Sequence, residues 1–400
     1  MPDSHPRTRA MAIERHFLGW DEPVLRKVRD FLIPHPPDSP VDLRSAMVLV
    51  PTQQAGRRLR EMLALFCAGA GTYLMAPAIR TPLALLDDGS DASVAGPLDV
   101  AAVWAHLLRS ADISRLKGLF PSGTPSQDFR WALSTGAMLQ SLREELAEHG
   151  QSIGSVSTGF ADRLEEMERW RDAARLESLF LSSIEGDFGL RDTCQELLRR
   201  AREPRPLERI ERIVLACVPD PTPVALTALE QLSDIVPVDV LVHAPEEMAD
   251  AFDPWGRPLT SRWKDATVEF PDADRNLRLA SSPAAQSTLA AAIIADETYG
   301  PRDIALGAPD PAVTPYLESS LGECGLSSYD PRGSRLAHHP VFQLLRDWQR
   351  LASGGSYAAL GSLLRNADVL DHLGRQHGIT PRALLTELDT YQNTHLPETA

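Results

Sequence analysis

The residues best suited to chemistry lie where an apolar run gives way to hydroxyl, amide and guanidinium groups. Met47-Val48-Leu49-Val50 is followed by Pro51-Thr52-Gln53-Gln54, and Arg57, Arg58 and Arg60 come next in an amphipathic pattern that runs to Leu63. This spacing predicts a buried strand, a tight turn and a helix capped by Thr52, whose hydroxyl oxygen can accept one of the first helical N–H groups. The other free N–H groups at such a helix start, with arginines along its first turns, suit an anion such as a phosphate. The chemistry implied is binding, because no nucleophile or general base accompanies it. An ordinary helix with solvated arginines would be written the same way.

A second segment, Ile213-Val214-Leu215-Ala216, predicts another buried strand, and Asp220-Pro221-Thr222-Pro223 opens the helix after it, with proline suited to the first helical position. A nucleotide hydrolase would end such a strand in a carboxylate pair for magnesium. Here Cys217-Val218 stands in that place. A phosphate-binding loop would read G-x-x-x-x-G-K-[S/T] after the first strand. The chain instead has Phe17-Leu18-Gly19-Trp20-Asp21-Glu22-Pro23, with one glycine, no Lys-Ser or Lys-Thr, and two carboxylates that would repel a triphosphate.

Other signals have plainer readings. Ala292-Ile293-Ile294-Ala295-Asp296-Glu297 ends in a carboxylate pair but lies in a helix-favouring, alanine-rich stretch. Gly69-Ala70-Gly71 lacks the third glycine of a dinucleotide loop, and Gly354-Gly355-Ser356-Tyr357-Ala358 has no strand before it, as a nucleophile elbow requires. His338-His339 precedes Pro340 and reads as a loop. Trp255 and Trp263, interleaved with Arg257 and Arg262, could stack on bases, and could equally pack beneath a loop. Cys67, Cys194, Cys217 and Cys324 are scattered singly, which argues against a zinc or iron–sulfur motif and reads as four buried thiols. No catalytic residue, cofactor or metal site is expected.

Several elements must hold these residues. Near-continuous apolar runs at 46–50, 213–216, 238–242, 277–280 and 304–306, and a weaker one at 15–18, read as strands of parallel sheets covered on both faces. From about 98 to 202 the pattern is helical throughout, with apolar residues three and four apart. A strand–helix–strand–helix unit is expected from Leu277, and helices from Pro340 onward. The ending carries no closing strand, so this last unit reads as unfinished. Residues 35–40 read as a proline-rich loop.

Composition bounds the rest. A chain of 400 residues suggests two or three domains, and 43% hydrophobic with 24% charged residues describes a folded protein. No run approaches the roughly 20 apolar residues of a membrane span, and the polar N-terminus lacks a signal-peptide core, so a cytoplasmic protein is expected. A net charge of −15 argues against a general nucleic-acid glove. It leaves room for one local basic groove, and the basic residues are overwhelmingly arginine.

The segment from Val48-Leu49-Val50-Pro51-Thr52 through Ala55, Arg57, Leu59-Arg60-Glu61 and Leu63 resembles motif Ia of superfamily 1 helicases. It is closer still to the opening of the B subunit of AddAB-type helicase–nucleases. Residues 210–232 resemble the Walker B region that follows in those helicases, without its Asp-Glu pair. The resemblance implies an α/β fold of RecA-like parallel-sheet domains lacking the phosphate loop, with an inserted helical subdomain. Its implied organisation is a first RecA-like part (1–95), the helical insertion (96–204), the remainder of the first domain (205–275), the start of a second (276–340), and a helical segment (341–400). It also implies that Thr52, Gln53 and Arg57, with Arg58 beside them, contact a DNA backbone, either single-stranded or at a duplex end. The implied function is a non-catalytic module of a double-strand-break repair subunit. Such a module scans DNA and docks an AddA-like helicase–nuclease, while a nuclease domain lies further along the family's chains. Two alternatives remain open: a protein-interaction scaffold that does not touch DNA, and an α/β metabolic enzyme with an unrecognised site.

Overall fold

The computed structural model describes residues 13–86, 93–123, 125–205, 207–267, 272, 276–296, 304–330, 333, 336–395 and 398. The chain divides into two compact units, Met1–Val268 and Glu269–Ala400.

The first unit is built on a parallel sheet. Its strands are β1 (Ile13–Phe17), β3 (Ala46–Leu49), β5 (Ala78–Arg80), β6 (Arg212–Ala216) and β7 (Val238–Val242), in the spatial order β1-β7-β6-β3-β5. Every pairing is parallel. A two-stranded parallel pair, β2 (Val41–Asp42) and β4 (Leu74–Met75), stands apart.

Alternate residues of the central strands feed two hydrophobic layers. Met47, Leu49, Ile213, Leu215, Val238 and Val240 pack with Leu226, Leu229 and Leu232 of α8 (Pro223–Ser233). Val48, Val50, Val214, Ala216 and Leu241 pack with Val28 of α1 (Val24–Leu32) and with Leu59, Leu63 and Cys67 of α2 (Gln53–Gly69). Strands apolar at both parities are therefore covered on both faces, which is why the runs at 46–50, 213–216 and 238–242 read clearly. The four-residue spacing of Leu59, Leu63 and Cys67 puts one stripe of α2 against the sheet. At Gly56 an added Cβ would meet Ile79 Cγ2 at 3.0 Å and Val50 Cγ2 at 3.3 Å, so glycine lets the first turn of α2 lie directly on β3 and β5.

Between β5 and β6 lie α3 (Pro97–Ser110), α4 (Phe129–Glu148), α5 (Ile153–Gly159), α6 (Met167–Gly186) and α7 (Thr193–Arg202). Their core is separate from the sheet's, with Trp104 of α3 stacked on Phe180 of α6 at 4.3 Å between ring centroids. A buried ion network joins the other helices. Arg143 of α4 donates to Glu177 of α6 at 3.0 Å and, through two guanidinium nitrogens, to Asp192 at 2.9 and 2.8 Å. Asp192 is itself the N-cap of α7. After β7 the chain reaches the short α9 (Thr260–Trp263). Trp255 is buried against the sheet, and Trp263 donates its indole N–H to Ala251 O at 3.1 Å, so both tryptophans are packing groups.

The second unit comprises α10 (Pro283–Asp296), α11 (Thr314–Glu323), α12 (Pro340–Gly354), α13 (Tyr357–Leu364), α14 (Ala367–His377) and α15 (Pro381–His395). Its helices fall close to where the sequence places them, and the run 292–296 lies within α10. Its expected strands do not form: among the described residues this unit contains no strand. The apolar runs 277–280 and 304–306 pair with no strand among the described residues, and Leu279 is 102% exposed. A strand gains its hydrogen bonds only from a neighbour, so apolar β-rich sequence alone cannot hold the conformation. The second RecA-like sheet expected from residue 276 is therefore not formed in the described residues. His339 caps α12, its Nδ1 accepting from Val341 N at 3.3 Å. Cys67 and Cys194 are buried and Cys217 half-buried, but Cys324, at the C-terminal end of α11, is exposed, correcting its reading as a buried thiol. Among the described residues no helix is long and apolar enough to cross a membrane.

Candidate nucleic-acid interface

The carboxyl ends of the parallel strands carry the residues singled out by the sequence. In open α/β sheets this is the edge where loops meet ligands. Thr52 stands between β3 and α2 in an extended conformation (φ −142°, ψ 156°), and its Oγ1 accepts from Ala55 N at 3.1 Å. The helix start therefore has the Ala55 N–H satisfied by the cap, while the N–H groups of Gln53 and Gln54 have no carbonyl within the helix to donate to. Pro51, Thr52, Gln53, Arg57, Arg58 and Arg60 are all exposed. Gln53, Arg57 and Arg60 share one face of the helix by their spacing of four and three, and Arg58 lies on the adjacent face. None of these three arginines has an ion pair among the described residues.

Sequence reasoning missed a fourth arginine at the carboxyl end of the neighbouring strand. Arg80 ends β5, and its carbonyl accepts from Val50 N at 2.9 Å, which fixes the ends of β3 and β5 side by side. The signal was faint: Ala78-Ile79-Arg80 is a three-residue strand between prolines.

The loop after β1 occupies the place of a phosphate-binding loop and is built differently. Leu18 N donates to Val242 O and Gly19 N to Ala244 O, both at 2.9 Å, so the chain continues along the end of β7. The Trp20 indole donates to His243 O at 2.7 Å, and Asp21 pairs with Lys27 at 2.8 Å. The N–H groups of Leu18 and Gly19 are thus spent on the end of β7 and the residues just after it, and a carboxylate takes the local lysine.

At the end of β6, Cys217 has φ 51°, a left-handed conformation that costs a non-glycine residue energy. Burial pushes its thiol up to about 12, leaving a protonated, unreactive sulfur where the resemblance would place a carboxylate.

A second polar cluster spans β1, β7 and β6, with Asp239 and Arg212 near the amino ends of β7 and β6 and His16 near the carboxyl end of β1. Asp239, inside the apolar run of β7, accepts from His16 Nε2 at 2.8 Å and from Arg212 Nε at 2.5 Å. Phe31 of α1 covers it, 4.8 Å from both the His16 ring and the Arg212 guanidinium. Burial works to raise the Asp239 carboxyl, but the hydrogen bonds from Arg212 and His16 outweigh it and hold the group below the usual carboxylate range. Glu14, the register partner of Asp239 on β1, completes a set of three groups whose ligand atoms lie within 4.8 Å of one another. The signal for this cluster was an aspartate inside a strand otherwise apolar at every position, since a buried charge requires partners.

No protein-family model matches the chain, and no curated protein matches it.

Proposed function

We propose that the chain is a helicase-shaped module that holds a DNA backbone without hydrolysing ATP itself. In this reading it resembles the corresponding part of the B subunit of AddAB-type helicase–nucleases and works beside an AddA-like motor. The observation that carries the reading is the free N-terminus of α2, flanked by exposed and unpaired Arg57, Arg58 and Arg60. N–H groups and guanidinium groups together recognise phosphate oxygens without reading sequence. The sheet order supports it further. The strand at the Walker B position, β6, lies beside the motif Ia strand, β3, and β7 separates β6 from β1, as in a RecA-type core. The loop after β1 and the thiol at the end of β6 supply neither a phosphate cradle nor a magnesium ligand.

Binding of a labelled single-stranded oligonucleotide, followed by anisotropy over a salt series, tests the proposal. Affinity should fall steeply with salt. Each of Arg57→Ala and Arg58→Ala should reduce the slope of log affinity against log salt by about 0.7, equally for different sequences. Undetectable binding at low salt, or slopes unchanged in both variants, would refute it. A second reading, a protein-interaction scaffold, is favoured by one observation in the second unit. Val341, Leu345 and Trp348 form an apolar row along α12, each more than half exposed. Absence of DNA binding would leave that reading standing.

A further inference from the structure

We propose that Glu14, His16 and Asp239 form a binding site for one divalent transition-metal ion of zinc-like preference, clamping β1 to β7. The inference is independent of the DNA reading, because none of the three residues belongs to the β3–α2 turn, and β6 separates β1 and β7 from β3 in the sheet.

The donor set is one imidazole and two carboxylates on adjacent strands, a combination suited to zinc, manganese or cobalt. An imidazole with only three protein donors does not suit calcium or magnesium, which prefer cages of oxygen. His16 Nε2 and Asp239 Oδ1 are 2.8 Å apart. Two donors each about 2.1 Å from one ion stand about 3.0 Å apart at right angles and about 3.4 Å apart in a tetrahedron. Closing around an ion therefore requires these two donors to move apart by about 0.2–0.6 Å, and the Glu14 carboxylate, within 4.8 Å of them, to move in. The existing hydrogen bond holds both donors near the required position.

Glu14 faces solvent and makes no hydrogen bond or ion pair among the described residues, so its carboxylate is free to turn inward. Arg212 bonds the other Asp239 oxygen at 2.5 Å, as an outer-shell donor does when it orients a ligating carboxylate. Its positive charge offsets one of the two carboxylates and leaves the set net negative. The ligands come from positions 223 residues apart, so an ion held here ties the first strand to the last and favours the folded state.

The test is calorimetric titration of the chelator-treated full chain with zinc chloride, with visible absorption of bound Co²⁺ as a second readout. The expected result is one equivalent bound, a rise in the unfolding midpoint, and at least tenfold weaker zinc binding in both Glu14→Gln and His16→Gln. Glu14 is exposed, so its variant should keep the fold, checked by circular dichroism, even if His16→Gln does not. Failure of the wild type to bind a stoichiometric ion would overturn the proposal. So would wild-type affinity in a folded Glu14→Gln protein.

Discussion

Replacing Arg143 by alanine is the severest single test of how the helical layer is held. Its side chain is 2% exposed, and its two carboxylate partners, Glu177 and Asp192, are 6% and 0% exposed. Removing the guanidinium leaves two buried negative charges facing a cavity, and breaking one partner out of a buried ion network costs about 3–5 kcal/mol. Two facts moderate the figure. Asp192 still accepts from Gln195 N at 2.9 Å, and Glu177 from Gly154 N at 2.8 Å, so neither carboxylate is wholly abandoned. One fact aggravates it: the guanidinium also lies 4.8 Å from the centre of the Phe180 ring, which stacks on Trp104. The lower half of the range follows, about 3–4 kcal/mol, which should lower the unfolding midpoint by roughly 6–15 °C for a unit of this size. Thermal and urea unfolding, followed by tryptophan fluorescence, measure it. Arg143→Lys should fall between, because one ammonium cannot reproduce the forked contact with Asp192 while also reaching Glu177. A loss below about 1 kcal/mol in Arg143→Ala would refute the reasoning, since it would mean that water reaches the carboxylates and the network is not buried in solution.

Two further expectations concern stability. Arg199 first, then Arg200, hold the Glu196 carboxyl down to about 2 against the opposing effect of burial. Its folded value lies below its unfolded one, so its contribution is complete above about pH 4.3 and is lost as pH falls through 4 toward 2. Because Arg199 is half exposed, screening limits the contribution to about 1–2 kcal/mol, and Glu196→Gln should flatten the stability curve across that window in acid unfolding. Gly136→Ala should destabilise the α3–α4 contact: its Cβ would sit 2.7 Å from Trp104 Cβ, and Trp104 is 1% exposed with no room to retreat. Overpacking of about 1–3 kcal/mol should exceed the helix-propensity gain of about 1 kcal/mol, giving a net loss by urea unfolding; a gain would show that the helices can part.

What the sequence revealed and what it concealed divide along one physical line, the distance over which a conformation is decided. The Thr52 cap and the arginine row of α2 are settled within a turn of helix, so residue types alone place them. The strands β3, β6 and β7 are apolar at both parities because both faces are covered, and such runs declare themselves. By contrast β5 is a strand only because β3 lies beside it, and the apolar run 277–280 is not one, having no strand beside it among the described residues. The Asp239 cluster joins residues 27 and 223 positions apart, so no local spacing could announce it. Only the lone aspartate in an apolar run hinted that a partner had to exist. The same line bears on the loop after β1. Its lack of a second glycine and of a lysine next to serine or threonine is a local fact, visible at once. That the N–H groups of Leu18 and Gly19 and the Trp20 indole are spent on the end of β7 and the residues just after it is a long-range fact, and it explains why one or two restored residues would not return a phosphate cradle. Glycine and lysine introduced into that loop would still have to displace the contacts with Val242, His243 and Ala244 before any anion could be held.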